Sequence, residues 1–298
     1  SVGQRVVVAH HVPCGDCHYC RHGNYSMCAS FKTSNIDPCG FAEYIRVPAR
    51  HVQQTTLLLP PNLSDEEGSF VEPLACCVRA VRRTPLLPGD TVIILGLGSI
   101  GLLMLQAFKA LAPPNPKIAE PRNRNIVGAI PRGRPGGGPG RPIYGIDLIP
   151  ERLQLASDLG ADDAFLAPSD EQALQHLLAP YTEGRGADAI IITAAGVRPF
   201  KQAVAAVRKG GMIHIFAAHS AMVPINLETI YQQEVVITST YSSSPEDLRI
   251  ALALLDSRKV RVDGLISHRL PLDHFAEGVA LMQKHAALKV YFHIAGES

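Results

Sequence analysis

Four cysteines lie within the stretch CGDCHYCRHGNYSMC near the start of the chain. Cys14, Cys17, Cys20 and Cys28 follow the spacing C-x2-C-x2-C-x7-C. Thiolates bind zinc tetrahedrally, and short C-x2-C steps let a tight loop aim successive sulfurs at one point. Gly15 and Gly23 supply turns where the backbone must fold around an ion. Four thiolates fill the coordination shell and leave no position for water or substrate, so this site is expected to brace a loop rather than catalyse. An iron–sulfur cluster is disfavoured because the ferredoxin run continues with x3-C-P, which this chain does not do. A nucleic-acid zinc module is disfavoured by the scarcity of basic and aromatic residues between the cysteines. His18 and His22 could each replace a thiol, but with four cysteines at hand they read as exposed loop residues.

A second stretch suits a different chemistry. After LLPGD comes TVIIL, then GLGSIG, then the helix-like SIGLLMLQAFKAL. Gly96, Gly98 and Gly101 fit G-x-G-x-x-G in the strand–turn–helix setting that binds a dinucleotide. Gly96 would make the tight turn, Gly98 would let a pyrophosphate approach the backbone, and Gly101 would let the helix pack on its strand. Ser99 and Ile100 open that helix, whose positive end would face the phosphates. An acidic residue ending the next strand should then hold the adenosine ribose. Asp147, in PIYGIDLIPERLQLASDLGAD, meets that description, with helix capping as its plainer reading. A carboxylate there repels a 2′-phosphate and favours NAD over NADP.

Asp147 stands 46 positions beyond Gly101, so roughly 26 residues are inserted relative to the usual ~20. The insert is visible as Ala112–Pro142, dense in Pro, Gly and Arg, with six basic residues against the single acid Glu120. Such a composition buries no core and predicts a disordered loop; an RGG-like RNA-binding tract is the alternative.

The elements that must position these residues alternate along the chain. DAFLA precedes a helix over residues 170–181, and ADAIIIT precedes a helical VRPFKQAVAAVRKGG. MIHIFAA precedes a short helix near Leu227, and EVVITSTY precedes SPEDLRIALALLDSRK. Repeated βα units predict an α/β fold with a doubly wound parallel sheet and a ligand at the carboxyl ends of its strands. Gly196, Ala217, Ala218 and Tyr241 then fall where the nicotinamide end would lie.

Composition narrows the function further. The 298 residues carry a formal charge of +1, so no global field draws the chain to nucleic acid or an anionic membrane. Seven cysteines, four of them clustered, do not resemble a secreted disulfide framework and fit a reducing cytoplasm. The apolar run Thr91–Phe108 is interrupted by glycines, which favour a buried strand, turn and helix over a membrane span. No secretory leader is evident, and the lack of an initiator Met is expected of a fragment.

Together the cysteine lobe and the dinucleotide turn resemble the zinc-dependent medium-chain dehydrogenase/reductase family, in its sorbitol (iditol) and threonine dehydrogenase-like branch. The resemblance also rests on GFAEYIRVPA, LPPNLSDEEGSFVEPLACCVRAV and LISHRLPLDHFAEGVALM. It implies a Rossmann NAD-binding domain over residues 81–262 and a truncated GroES-like β domain with a zinc lobe over 1–80, rejoined by 263–298. It assigns Cys14, Cys17, Cys20 and Cys28 to a structural zinc, and sets Arg152 beside Asp147 against the adenine or ribose. It implies a catalytic zinc as well, to which Glu72 of VEPLA would be a ligand, directly or through water. Glu72–Pro73 is also a good helix start, with an acid before an N1 proline. The Cys and His-Glu pair that complete the catalytic site in the family have no match here, and His10 and His11 do not take their place. The implied reaction is NAD-linked oxidation of a secondary alcohol or polyol to a ketone, by a homo-oligomer, with little activity expected of this chain alone. The alternative is a non-catalytic NAD- and zinc-binding oligomer. Limited proteolysis is expected to cut first between Pro113 and Arg141; resistance there would contradict the disorder inferred from composition.

Overall fold

The computed structural model describes residues 1–111, 141–218 and 222–294. In chain order the first elements are β1 (Val6–Val8), α1 (His18–Arg21), α2 (Ala29–Thr33), α3 (Ala49–Gln54), β2 (Thr56–Leu58), α4 (Asp65–Gly68) and α5 (Val71–Arg82). Next come β3 (Val92–Leu95), α6 (Ser99–Ala110), β4 (Ile143–Asp147), α7 (Pro150–Asp158), β5 (Asp163–Leu166), α8 (Glu171–Leu178) and β6 (Ala187–Ile192). The chain continues through α9 (Val197–Ala206), β7 (Val207–Ile215), α10 (Leu227–Gln232), β8 (Val236–Ser239) and α11 (Pro245–Asp256). It closes with β9 (His268–Pro271), α12 (Phe275–Gln283) and β10 (Val290–His293). These fall into two compact units, one of Ser1–Arg83, Leu97–Ala107 and Ser239–Ser298, the other of Thr84–Gly96 and Phe108–Thr238.

The second unit is built on a six-stranded sheet of order β5-β4-β3-β6-β7-β8. β3 runs parallel to both β4 and β6, β4 to β5, and β6 to β7. The expected doubly wound sheet is therefore present. Its central strands are apolar without alternation, because both faces are covered: every residue of β3 and β6 is buried. Helices α8 and α9 lay Leu174, Leu178, Phe200 and Ala203 over Ile93, Leu95, Ile190 and Ile192. Each Leu, Ile or Phe among them contributes about 1.5–3 kcal/mol by leaving water.

The first unit holds the antiparallel pair β1–β2 and the parallel pair β9–β10. Phe41, Phe275 and Phe292 form an aromatic cluster there, with centroids 4.9, 5.3 and 5.7 Å apart. α4 starts with a full capping box: Ser64 accepts from the Glu67 N–H, and Glu67 accepts from the Ser64 N–H.

Three local expectations change. VRKGG does not end a helix: Val207 already pairs with Ala187, and β7 runs from there to Ile215. α5 begins at Val71, so Pro73 sits at its third position and Glu72 inside the first turn. Phe70 before it is already helical, and proline costs nothing in a first turn, where its missing N–H has no partner to lose. The inserted segment also stops sooner than its composition suggests. Arg141 is buried and the Pro142 carbonyl accepts from Val92 N–H at 2.9 Å; the rest of the insert, residues 112–140, lies outside the described residues. The run Thr91–Phe108 forms β3, a turn and most of α6, and no described helix is long and apolar enough to cross a membrane.

At the amino end of the sheet the β6–β7 register shifts: Ala187 pairs with Val207 and Ala189 with Met212, so residues 208–211 bulge from β7 opposite Asp188. The buried Asp188 carboxylate accepts from Thr91 N–H at 2.8 Å, Arg208 Nε at 2.5 Å and Arg185 Nη2 at 3.4 Å. Burial would raise the Asp188 carboxyl, but these donors outweigh it and hold it below its ordinary value. Its unfolded pKa is about 3.9. The stabilisation is thus complete above that value and is lost as pH falls through the lower folded value. Asp188→Asn is expected to cost about 3 kcal/mol at neutral pH. In urea titrations between pH 7 and 3 the variant should also lose less stability on acidification than the parent.

Candidate functional site

The cysteine lobe follows from tight local turns. α1 presents Cys20, and Cys28 precedes α2. Gly15 and Gly23 take left-handed backbone angles of +93° and +72°, which lets the loop reverse between ligands. The four Sγ atoms all lie within 4.8 Å of one another. Cys17 and Cys20 sulfurs are 3.5 Å apart and Cys14 and Cys20 sulfurs 3.9 Å apart. A tetrahedral zinc with bonds of ~2.3 Å requires sulfur–sulfur edges of about 3.8 Å, so the donor set fits. Backbone N–H groups of Cys14 and Cys17 point at Cys28 and Cys14 sulfurs, each at 3.4 Å, as suits thiolate acceptors. Burial pushes the Cys20 thiol up to about 12. Burial also acts to raise Cys28, but hydrogen bonds from the Cys14 and Phe31 backbone bring it down to about 6. His18 and His22 are exposed and stack on each other, 4.3 Å between ring centroids, clear of the sulfurs.

The dinucleotide candidates in the second unit gather at the carboxyl ends of parallel strands. Gly96 follows β3, Asp147 ends β4, Gly196 caps α9 after β6, and Ala217 follows β7. In the order 5-4-3-6-7-8, successive strands depart to opposite sides at β3 and β6, the switch point where such folds bind ligands. The Gly96 N–H donates to Ile146 O at 2.8 Å, which ties the end of β3 to the strand carrying Asp147. Asp147 is buried; its Oδ1 accepts from Ile149 N–H at 3.0 Å, and Arg152 Nη1 lies 3.5 Å from Oδ2. Phe216 and Ala217 N–H groups share the Ile192 carbonyl at 3.0 Å, which brings the Ala217–Ala218 loop beside the end of β6.

Along the chain from Gly96, Gly98 has open space where a Cβ would stand, as close approach of a phosphate requires. Ser99 opens α6, the Ile100 carbonyl accepts from Cys77 Sγ at 3.8 Å, and Gly101 is buried. Tyr241 is exposed in the first unit, with Lys32 Nζ 5.8 Å from its ring. Sequence reasoning missed Thr193, whose hydroxyl donates to Leu95 and Gly96 carbonyls at 3.0 and 2.6 Å. Its signal was a hydroxyl directly after the apolar run 189–192 of β6.

Glu72 is half-buried in the first turn of α5, accepting from Cys76 Sγ at 3.3 Å. It borders a cavity of about 330 Å³ together with Val6–Ala9, Thr55 and Tyr291. Its charge acts on His10, whose pKa burial and the neighbouring His11 lower, and on Lys289, which burial also lowers. Among the described residues, the four cysteines are the only group of three or more His, Cys, Asp or Glu side chains close enough to share an ion. Among the described residues, Glu72 therefore belongs to no such group that would complete a second, catalytic metal site.

Two family models match the chain: the alcohol dehydrogenase GroES-like domain over residues 1–57, and the zinc-binding dehydrogenase domain over residues 139–257. A sorbitol dehydrogenase of Bacillus subtilis is 30% identical over 299 residues, covering 97% of this chain and 74% of the relative. The chain belongs to the zinc-dependent medium-chain dehydrogenases. An L-threonine 3-dehydrogenase of Pyrococcus abyssi is 28% identical over 98% of this dehydrogenase and 75% of its own length. Among solved structures, an alcohol dehydrogenase from Thermus sp. ATN1 has a TM-score of 0.76 at 25% identity, covering 98% of this chain and 80% of that one. An Escherichia coli oxidoreductase/dehydrogenase of unknown specificity has a TM-score of 0.77 at 26% identity, covering 99% and 76%.

Metal analysis of the purified dehydrogenase is expected to find about one zinc per chain, as a single closed four-thiolate shell requires. Cys20→Ser should lose most of it, and a variant that keeps full zinc content would contradict the assignment.

Proposed function

We propose that this dehydrogenase serves NAD-linked oxidation of a secondary alcohol, of the polyol or small hydroxylated class, to its ketone. The observation that carries the reading is the switch-point crevice at Gly96 and Asp147 in a chain 30% identical to a sorbitol dehydrogenase. NAD, when bound, would supply the hydride acceptor, and the protein's part would be to hold and align it. Gly96 and the following turn through Gly98, Ser99, Ile100 and Gly101 would cradle the pyrophosphate, with Asp147 on the adenosine ribose and Arg152 against the adenine or ribose. Gly196, Ala217, Ala218 and Tyr241 would line the nicotinamide end. Cys14, Cys17, Cys20 and Cys28 would hold a zinc that braces the lobe and takes no part in turnover.

The domain division that goes with this reading is a partial GroES-like domain over 1–80, a nucleotide domain over 81–262 and a return segment over 263–298. A homo-oligomer is supported by the edge strand β8 and the exposed Met222, Leu227 and Tyr231 that precede it. A cytoplasmic location is supported by cysteines gathered for a metal rather than paired as disulfides.

Glu72 remains the candidate ligand for a catalytic zinc, whose site the described residues do not complete. The same observation favours a second reading, an NAD- and zinc-binding oligomer without catalysis. Both readings share the cofactor binding described next. They part on turnover once a segment bearing the family's catalytic Cys and His-Glu pair is fused ahead of residue 1. Polyol oxidation by the fusion favours the dehydrogenase, and cofactor with one zinc and no turnover favours the non-catalytic protein. NADH binding followed by fluorescence should be tighter than NADPH binding, and Asp147→Ser should weaken NADH by about tenfold, ~1.4 kcal/mol, while sparing NADPH. Cofactor binding with one zinc per chain and no appreciable polyol oxidation is the expected outcome for the 298-residue protein. Two zincs with NAD-dependent polyol turnover would refute the single-site reading, and NADPH preference would refute the role of Asp147.

A further inference from the structure

Two arginines, Arg79 near the end of α5 and Arg83 just after it, reach the cysteine lobe. Arg79 Nη2 donates to the Gly23 carbonyl at 3.2 Å, and Arg83 Nη1 to Asn24 Oδ1 at 3.4 Å. Gly23 and Asn24 form the turn that closes α1, their N–H groups bonded to Cys20 O at 3.0 Å and Tyr19 O at 2.8 Å. Arg79 thus holds the backbone three residues beyond a metal ligand. Tyr25, packed against the cysteines, is also near enough to act on its charge.

Arg79 is costly where it stands. It is 5% exposed, and its Nε is buried with no hydrogen-bond partner. Burial pushes its guanidinium below the ordinary value, and the carboxylate that opposes this most is Asp247. That carboxylate is engaged elsewhere: Oδ1 accepts from Arg82 Nη1 at 2.8 Å, and Oδ2 from Ser244 N at 3.0 Å and Ser244 Oγ at 2.6 Å. A buried cation with one carbonyl acceptor needs compensating charge nearby. The lobe can supply it, since a divalent ion held by four thiolates carries a net charge of about −2.

We infer that Arg79 is the counter-cation of the metal–tetrathiolate lobe and couples its occupancy to helix α5, the helix that carries Glu72. The inference rests on the reading of the four cysteines as zinc ligands. Metal in the lobe stabilises the buried guanidinium, and by linkage the guanidinium tightens the metal. The otherwise inert zinc then helps to fix the helix whose first turn presents a carboxylate.

The test is zinc affinity of the full chain, measured by competition with a chromophoric chelator. Arg79→Gln keeps a neutral donor for Gly23, Arg79→Lys keeps the charge, and Arg141→Met removes another buried arginine, in the other unit, as a control. Arg79→Gln should bind zinc about tenfold more weakly than the parent, the lower end of what outer partners of metal ligands contribute. Arg79→Lys should recover most of the loss, and Arg141→Met should match the parent. Reciprocally, zinc removal should lower the thermal midpoint of Arg79→Gln by less than that of the parent. If a glutamine variant does not fold, Arg79→Met against Arg79→Lys reads the same charge dependence. Equal affinities for the charged and neutral variants would overturn the inference while leaving the ligand assignment intact. Absence of zinc from the parent's cysteines would overturn the assignment itself.

Discussion

The crevice at the heart of the second unit depends on a missing side chain at Gly96. A Cβ there would stand 2.8 Å from the Ala194 nitrogen and 2.9 Å from both Ala194 Cβ and Thr193 Oγ1, and the backbone angle is +104°. No L side chain fits those distances without moving β6 away from β3. Close approach of these two strand ends lets Thr193 bond across to the Leu95 and Gly96 carbonyls. The same end of β3 is tied to β4, so one glycine sets where three strands deliver their last residues. Asp147 is aimed by that arrangement, with one oxygen held by the Ile149 N–H and the other facing Arg152.

Much of this could be read from residue types, because local rules and the final fold agree. The strand–turn–helix around Gly96 is marked by an uncharged run broken by spaced glycines, and a buried parallel strand needs that run. The cysteine lobe is legible because a metal shell is built from neighbours in the chain. What was not legible depends on distant partners. Val207–Gly211 carries the basic and glycine residues of a helix end, yet it becomes strand because Val207 has Ala187 to pair with. Gly211 also faces that partner strand, a Cβ there falling 3.1 Å from Ala187 O, a contact no local pattern announces. Thr193 and Arg79 escaped notice for the same reason, since their partners lie 98 and 56 positions away.

The first unit joins the cysteine lobe to a helix whose two ends have different tasks. Its first turn presents Glu72 beside a cavity, and its carboxyl end grips Gly23 and Asn24. Its last residue, Arg82, bridges to Glu246 and Asp247 in the first turn of α11, itself opened by a capping box at Ser244. Acidic side chains at a helix start suit its dipole, and here they also anchor a neighbouring helix. The lobe is therefore joined to the carboxylate end by a continuous rigid rod rather than by loops alone.

Asp188, opposite the β7 bulge, lies at the amino end of the sheet, away from the end where Gly96 and Asp147 meet. Robustness and ligand selection are thus written into opposite poles of one scaffold. Mutational drift that hardens or softens the Asp188 pole leaves the other pole's shape untouched, so a lineage could change what it accepts without renegotiating how it folds.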